Sequence, residues 1–288
     1  VYTLKILILE VLVLGKNKKV YCLMFLTSLF WAGAFIGGKF GVRELSPISL
    51  TFLRLFFASI FVGIFTFKID PKSLKLNMKD VGIMTTLAVV GVVGYQVLLF
   101  TALKYTTSSN ASILVSFSPL ITTVLAYFFN DESICLKKIF AVLLGMLGVI
   151  LTISNWNLNI IKNLSFNIGD LIMLIAATTL GVYSIIVKRV INKYKPLLIT
   201  TCTLVISVFI LFPFSLKAGL VNNIFNLSWE TWLSVLYMAI FPTVIAYLIQ
   251  QKSIKIIGSS KTEMFRNTVP IFSMVLAYFF LKESISLL

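Results

Sequence analysis

The stretch Leu125-Ala126-Tyr127-Phe128-Phe129-Asn130-Asp131-Glu132-Ser133-Ile134 returns as Leu276-Ala277-Tyr278-Phe279-Phe280-Leu281-Lys282-Glu283-Ser284-Ile285, 151 residues later and identical at eight of ten positions. Pro119 and Pro270 keep the same spacing. The chain therefore reads as two copies of one unit, and both copies are strongly apolar. Duplicated hydrophobic halves are the sequence mark of a membrane transporter, with the pathway expected between them.

Composition sets the class. Mean hydropathy is +1.00, and 59% of residues are hydrophobic against 12% charged. Soluble domains hold roughly 45–50% apolar residues. Here the apolar residues come in blocks near the ~20 residues that a helix needs to cross a bilayer, which predicts an all-α polytopic membrane protein. A β-barrel would show short alternating segments instead. The net charge of +15 does not indicate a nucleic-acid partner, because Lys and Arg sit in short clusters between apolar blocks. Cys22, Cys135 and Cys202 share no motif spacing and read as small apolar residues. The absence of histidine removes His-based metal sites and His catalysis. No cofactor is expected.

Apolar blocks lie at 20–40, 47–67, 80–102, 107–129, 137–154, 168–188, 196–214, 230–251 and 257–280. Short loops make neighbouring blocks antiparallel. Sixteen Lys and Arg fall in the segments before block 1 and between blocks 2–3, 4–5, 6–7 and 8–9; six fall in the opposite set. The richer set faces the cytoplasm, so block 1 is predicted to start there, in the cytoplasmic membrane of a bacterium. Five spans return the chain to the opposite side, so a second five-span unit would be inserted upside down. The expected units are 20–154, with blocks 1–5, and 168–288, with blocks 6–9. A tenth helix is missing from this chain, which reads as a fragment. Residues 1–19 are expected as a membrane-surface segment, with a misplaced start or a signal-like segment as alternatives.

Several motifs then resemble a family. Trp31-Ala32-Gly33-Ala34-Phe35-Ile36-Gly37-Gly38-Lys39-Phe40-Gly41 looks like the first-helix pattern of the EamA family of the drug/metabolite transporter superfamily. Leu53-Arg54 after Pro47, Ala102-Leu103-Lys104-Tyr105-Thr106, Ser118-Pro119-Leu120 with Glu132, and Gly145-Met146-Leu147-Gly148 follow in order. The second half adds Gly169-Asp170 and Asn267-Thr268-Val269-Pro270-Ile271-Phe272 before Glu283. The resemblance implies ten helices as two inverted five-helix repeats, and export or exchange of small metabolites such as amino acids. It also implies a cavity built from helices 1, 3, 4, 6, 8 and 9, with helices 2 and 7 as outer supports. Lys261, Glu263 and Arg266 depart from the small or apolar residues usual in that family.

Ionisable groups at membrane depth need a reason. Arg54 reads as a structural charge, with an anion-binding guanidinium as the alternative. Glu263 and Arg266 are three apart and share a helix face. They could hold the charges of a zwitterionic substrate, or form an ion pair at the cytoplasmic end. Glu263 is also the candidate proton carrier, since low-dielectric surroundings disfavour a charged carboxylate. Asn267, near Pro270, suits a kinked cavity-facing segment. Asn110, Ser112 and Ser116 belong to a polar stripe that either lines a pathway or lets helices pack closely. Trp31 stands as a cavity wall or interface anchor, beside a Gly33/Gly37 packing motif. Tyr95, Gln96, Tyr183 and Tyr247 complete the candidates.

The sequence thus predicts a secondary permease for a small metabolite such as an amino acid or amine, working by alternating access, with the lipid bilayer and a small-molecule substrate as partners. No Gly-x-x-x-x-Gly-Lys loop points to ATP. A facilitator or exchanger without proton coupling is the alternative. An integral-membrane enzyme is disfavoured by scarce carboxylates. Substrate identity, flux direction and oligomeric state are not written in the sequence.

Overall fold

The computed structural model describes residues 18–69, 78–129 and 167–283, together with 139, 140, 143, 144 and 147. The expected surface segment up to 17, the span expected at 137–154 for the most part, and residues 284–288 lie outside the described residues. Among the described residues there is no strand, and eight helices are long and apolar enough to cross a membrane. They are α1 (Lys18–Glu44), α2 (Pro47–Ile69), α3 (Asp80–Tyr105), α4 (Ser108–Phe129), α5 (Ile168–Val190), α6 (Pro196–Lys217), α7 (Trp229–Ile257) and α8 (Ser259–Leu281). They correspond to blocks 1–4 and 6–9. The main departure is α7, which runs past the expected 251 to Ile257.

Local chemistry sets the helix starts. Pro47 and Pro196 open α2 and α6, where a missing N–H removes no helical hydrogen bond. Four residues on, the Thr51 and Thr200 hydroxyls donate back to those proline carbonyls at 2.7 and 2.9 Å. Thr107 caps α4 by accepting from the Asn110 amide at 3.1 Å, and Asn167 caps α5 by accepting from Gly169 at 3.0 Å. Each cap satisfies a helix-end N–H that has no helical partner. Gly258 alone joins α7 to α8, with φ 88° and ψ 164°, a backbone region closed to residues bearing a Cβ.

Four helices are broken, in pairs that keep the 151-residue spacing. Ala88–Gly94 in α3 and Ala239–Ile245 in α7 are π-helical. In α4, residues 116–117 form a turn before Pro119, and in α8 Met264–Thr268 is a 3₁₀ segment before Pro270. In α7 the cause is visible. Pro242 has no N–H to offer the carbonyl of Met238, four residues back. The Thr243 hydroxyl donates to that carbonyl instead, at 2.7 Å.

The packing is reciprocal. α1 lies against α7 and α8, α5 lies against α3 and α4, and α2 lies against α6. Thr66 and Thr201 share a hydrogen bond of 2.7 Å across the last pair. Polar clasps tie the helix ends. Lys39, near the end of α1, donates to the carbonyls of Leu103 and Thr106 at the end of α3, at 2.8 and 2.7 Å. Thr106 in turn donates to Asp170 in the first turn of α5 at 2.8 Å. α1 therefore ends where α5 begins. Glu44, ending α1, accepts from the Ser228 amide before α7 at 3.0 Å. At the opposite end Lys193, after α5, pairs with Asp80 of α3 at 2.8 Å, and the hydrogen bond to Asp80 holds the Lys193 ammonium above the usual lysine range. The outer surface carries exposed Phe67, Phe128, Phe209 and Phe279, a surface suited to hydrocarbon rather than water.

Candidate functional site

A narrow cavity of about 10 Å³ lies inside the bundle, lined by Trp31, Ala34, Phe35, Arg54, Tyr95, Leu99, Tyr247 and Arg266. Both halves contribute to it.

The 3₁₀ segment of α8 shapes one wall. Side chains three apart eclipse in a 3₁₀ turn, which brings Arg266 Nε to 2.5 Å from Glu263 Oε2. Glu263 is fully buried and Arg266 is 3% exposed. Glu263 Oε1 accepts from Ser184 Oγ of α5 and Gln250 Nε2 of α7, both at 2.7 Å. Three donors from three helices therefore converge on one carboxylate, which offsets the expense of burying it. The Arg266 guanidinium lies over the Trp31 ring, 3.9 Å from its centroid, a cation–π contact between two buried side chains.

Arg54 enters from α2, about 10 Å along the helix from Pro47 at ~1.5 Å per residue. It is 3% exposed. Its Nε donates to Thr243 Oγ1 at 2.8 Å, and its guanidinium carbon lies 5.7 Å from the Phe100 ring centroid. The proline break in α7 explains the first contact. Because the Thr243 proton is committed to Met238, the oxygen's lone pair is left to face Arg54. The Arg54 Nη1 is buried and makes no hydrogen bond among the described residues.

Beside the cavity runs a polar layer. Gln96 Nε2 donates to the Tyr247 hydroxyl at 3.3 Å, and Gln251 Nε2 donates to the Tyr183 hydroxyl at 3.0 Å. The two tyrosine rings are 6.2 Å apart.

Of the sequence candidates, Trp31, Tyr95, Tyr247 and Arg266 line the cavity, and Gln96, Tyr183 and Glu263 stand directly behind it. Others stand apart. Ser112 is buried but bonds back to the Ser109 carbonyl at 2.7 Å, which is helix packing. Ser116 reaches the Arg266 carbonyl at 3.5 Å. Asn110 is half-buried at the start of α4. Asn267 is exposed, which corrects its expected place in the cavity. In a turn of three residues, position 267 points about 120° away from the 263/266 face. Arg54, expected as a structural charge, borders the cavity, and with it α2, expected as an outer helix, reaches the cavity wall. Ser184 and Thr243 were not anticipated. Small hydroxyls in apolar helices look like packing residues, although the Pro242-Thr243 step signals a carbonyl in need of a donor.

The EamA-like transporter family matches this chain over 18–154 and again over 167–288. A Bacillus subtilis protein, uncharacterized transporter YyaM, is 29% identical over 91% of this chain and 86% of its own length. An uncharacterized transporter of Archaeoglobus fulgidus is 29% identical over 93% of this chain and 91% of its own. The S-adenosylmethionine/S-adenosylhomocysteine transporter of Chlamydia muridarum is 24% identical over 91% and 84%. A solved crystal structure shares the fold, with a TM-score of 0.70 over 92% of this chain and 90% of that one at 17% identity. Eight apolar helices and a match spanning both halves make this a multi-pass membrane protein that belongs to the EamA-like transporter family.

Proposed function

We propose that the chain is a secondary carrier that moves a small metabolite, such as an amino acid or amine, across the cytoplasmic membrane by alternating access. One observation carries the reading. Two buried guanidiniums, Arg54 and Arg266, border one cavity where the two halves meet, with the Glu263 carboxylate that pairs with Arg266 directly behind it, all on membrane-spanning helices. Charges at such depth are retained where a polar solute must be held. A relative named as a transporter of S-adenosylmethionine and S-adenosylhomocysteine supports a small metabolite as the solute.

The halves are proposed as inverted repeats of one five-helix unit, 20–154 carrying helices 1–5 and 168–288 carrying helices 6–9, the first starting in the cytoplasm. Two features support this. α1 ends where α5 begins, so the first helices of the two halves run in opposite directions. The contacts of α1 with α7 and α8 are mirrored by those of α5 with α3 and α4, as a two-fold relation requires. The paired breaks near the cavity are where such halves would bend.

Glu263 is the proposed proton-coupling group. In the conformation described its oxygens are engaged by Ser184, Gln250 and Arg266, so proton uptake requires those helices to part. The same saturation favours the second reading, a facilitator or exchanger that uses Glu263 only to hold Arg266.

The test is flux into liposomes containing the purified chain, with amino acids and amines as probes, with and without a pH gradient. A carrier gives saturable flux. Proton coupling predicts that Glu263→Gln removes the pH-gradient dependence while leaving exchange, and wild-type flux indifferent to the gradient selects the facilitator. Absence of any protein-dependent flux defeats the carrier reading.

A further inference from the structure

We infer that Arg54 is the anchor for the carboxylate of the transported solute, and that the cavity takes a small monocarboxylate with an apolar body rather than an amine or a phosphate. The inference rests on the carrier reading above and narrows its substrate class.

Two guanidiniums and one carboxylate border or directly back the cavity. Arg266 and Glu263 neutralise each other, and the remaining acceptor capacity of Glu263 is taken by Ser184 and Gln250. The face of Arg266 is covered by Trp31. Arg54 makes no ion pair among the described residues. Its Nε is fixed by Thr243, its face meets Phe100, and its Nη1 has no acceptor. A buried guanidinium with an unused N–H and no counter-charge is a poor supporting element, because an unpaired charge in a low-dielectric site is strongly unfavourable. It becomes favourable once an anion arrives. A charge-assisted bond to a carboxylate is among the strongest that a guanidinium makes.

The same balance selects the ligand. One uncompensated positive charge suits one negative charge. A phosphate dianion would need a second free cation, and Arg266 is already paired. A bare amine would add positive charge to a cavity that already has an excess, and the Glu263 carboxylate that could receive it is occupied by three donors. Trp31, Phe35, Tyr95 and Leu99 supply apolar walls; the cavity of about 10 Å³ is too small for a hydrocarbon or aromatic body in this conformation, so such a solute enters only as the helices part. Thr243 is a positioning residue, because its hydroxyl aims the guanidinium.

Thermal stability of the purified full chain in detergent tests this with matched probes: isovalerate and 3-phenylpropionate, isoamylamine and 3-phenylpropylamine, L-leucine and L-phenylalanine, and inorganic phosphate. Carboxylates are expected to raise the melting temperature in a saturable way, while the bare amines and phosphate leave it unchanged. Arg54→Gln should weaken carboxylate binding by about tenfold or more, the loss of one charged hydrogen bond. If that variant does not fold, Thr243→Val keeps the charge, loosens its aim and should raise the apparent Kd for the same probe. Stabilisation by amines or phosphate in place of carboxylates overturns the inference. So does an absence of carboxylate binding, or carboxylate binding unchanged in both variants. Liposome flux separates the two readings. Carboxylate binding lost in Arg54→Gln but without flux of any probe keeps Arg54 as a carboxylate anchor, while defeating the carrier reading and transport of that carboxylate with it; amine flux indifferent to Arg54→Gln keeps the carrier and overturns the anchor.

Discussion

Gln96 and Tyr247 are 151 residues apart, the spacing of the internal repeat, and their side chains meet, with the Gln96 amide donating to the Tyr247 hydroxyl at 3.3 Å. Under the two-fold proposed for the halves, equivalent residues that also touch lie beside its axis. Tyr247 also lines the cavity. A solute bound there would be reached by both halves at once, which is the condition for one half to release it as the other closes.

The first prediction concerns direction. In a cysteine-free background, Glu44→Cys should react with a membrane-impermeant thiol reagent added to intact cells. Lys193→Cys should react only after permeabilisation. The Lys193–Asp80 clasp and the Glu44–Ser228 clasp lie at opposite ends of the bundle, and the charge rule places the Lys193 end in the cytoplasm. Labelling of both positions from outside would contradict the inverted arrangement.

The direction of the spans is legible in the sequence, whereas the rotation of the helices is not. Each span carried close to 20 apolar residues between charged loops, so length and composition located α1–α4 and α5–α8. The rotation of each helix was less legible. α2 is apolar on every side, so nothing in Pro47–Ile69 marks the face on which Arg54 lies, and its turn toward the cavity depends on Thr243, nearly 200 positions away. Glu263 and Arg266 were legible because i and i+3 share a face in either helix type. Asn267 was not, because the change from α to 3₁₀ winding before Pro270 moves it to the outside.

The second prediction concerns the ion pair. Arg266→Met alone leaves Glu263 buried with a charge and without its cation, and Glu263→Gln alone leaves Arg266 in the same position. Each single change should lower stability by roughly 3–5 kcal/mol, the usual consequence of orphaning one member of a buried pair. The double variant Glu263→Gln/Arg266→Met should recover most of the loss, because it removes both charges together. Melting temperatures of the four proteins in detergent form the cycle. Additive losses would mean that the 2.5 Å contact contributes little coupling.

The third prediction concerns close approach of the halves at the α3 break. A Cβ on Gly91 would sit 2.0 Å from Tyr183 Cδ2, whereas a Cβ on Gly82 would meet nothing within 4 Å. Both glycines are helical, so alanine brings each a similar gain of up to ~1 kcal/mol in helix propensity. Gly82→Ala should therefore be neutral or slightly stabilising. Gly91→Ala must push the buried Tyr183 ring aside and disturb its bond from Gln251, and should lower stability by about 1–3 kcal/mol, as overpacking does. Flux should fall further than stability if α3 and α5 shift against each other during transport. Since Gly82→Ala shares the propensity gain, the difference between the two variants isolates the contact. Equal melting temperatures for the two would show that α3 and α5 are not in van der Waals contact at Gly91.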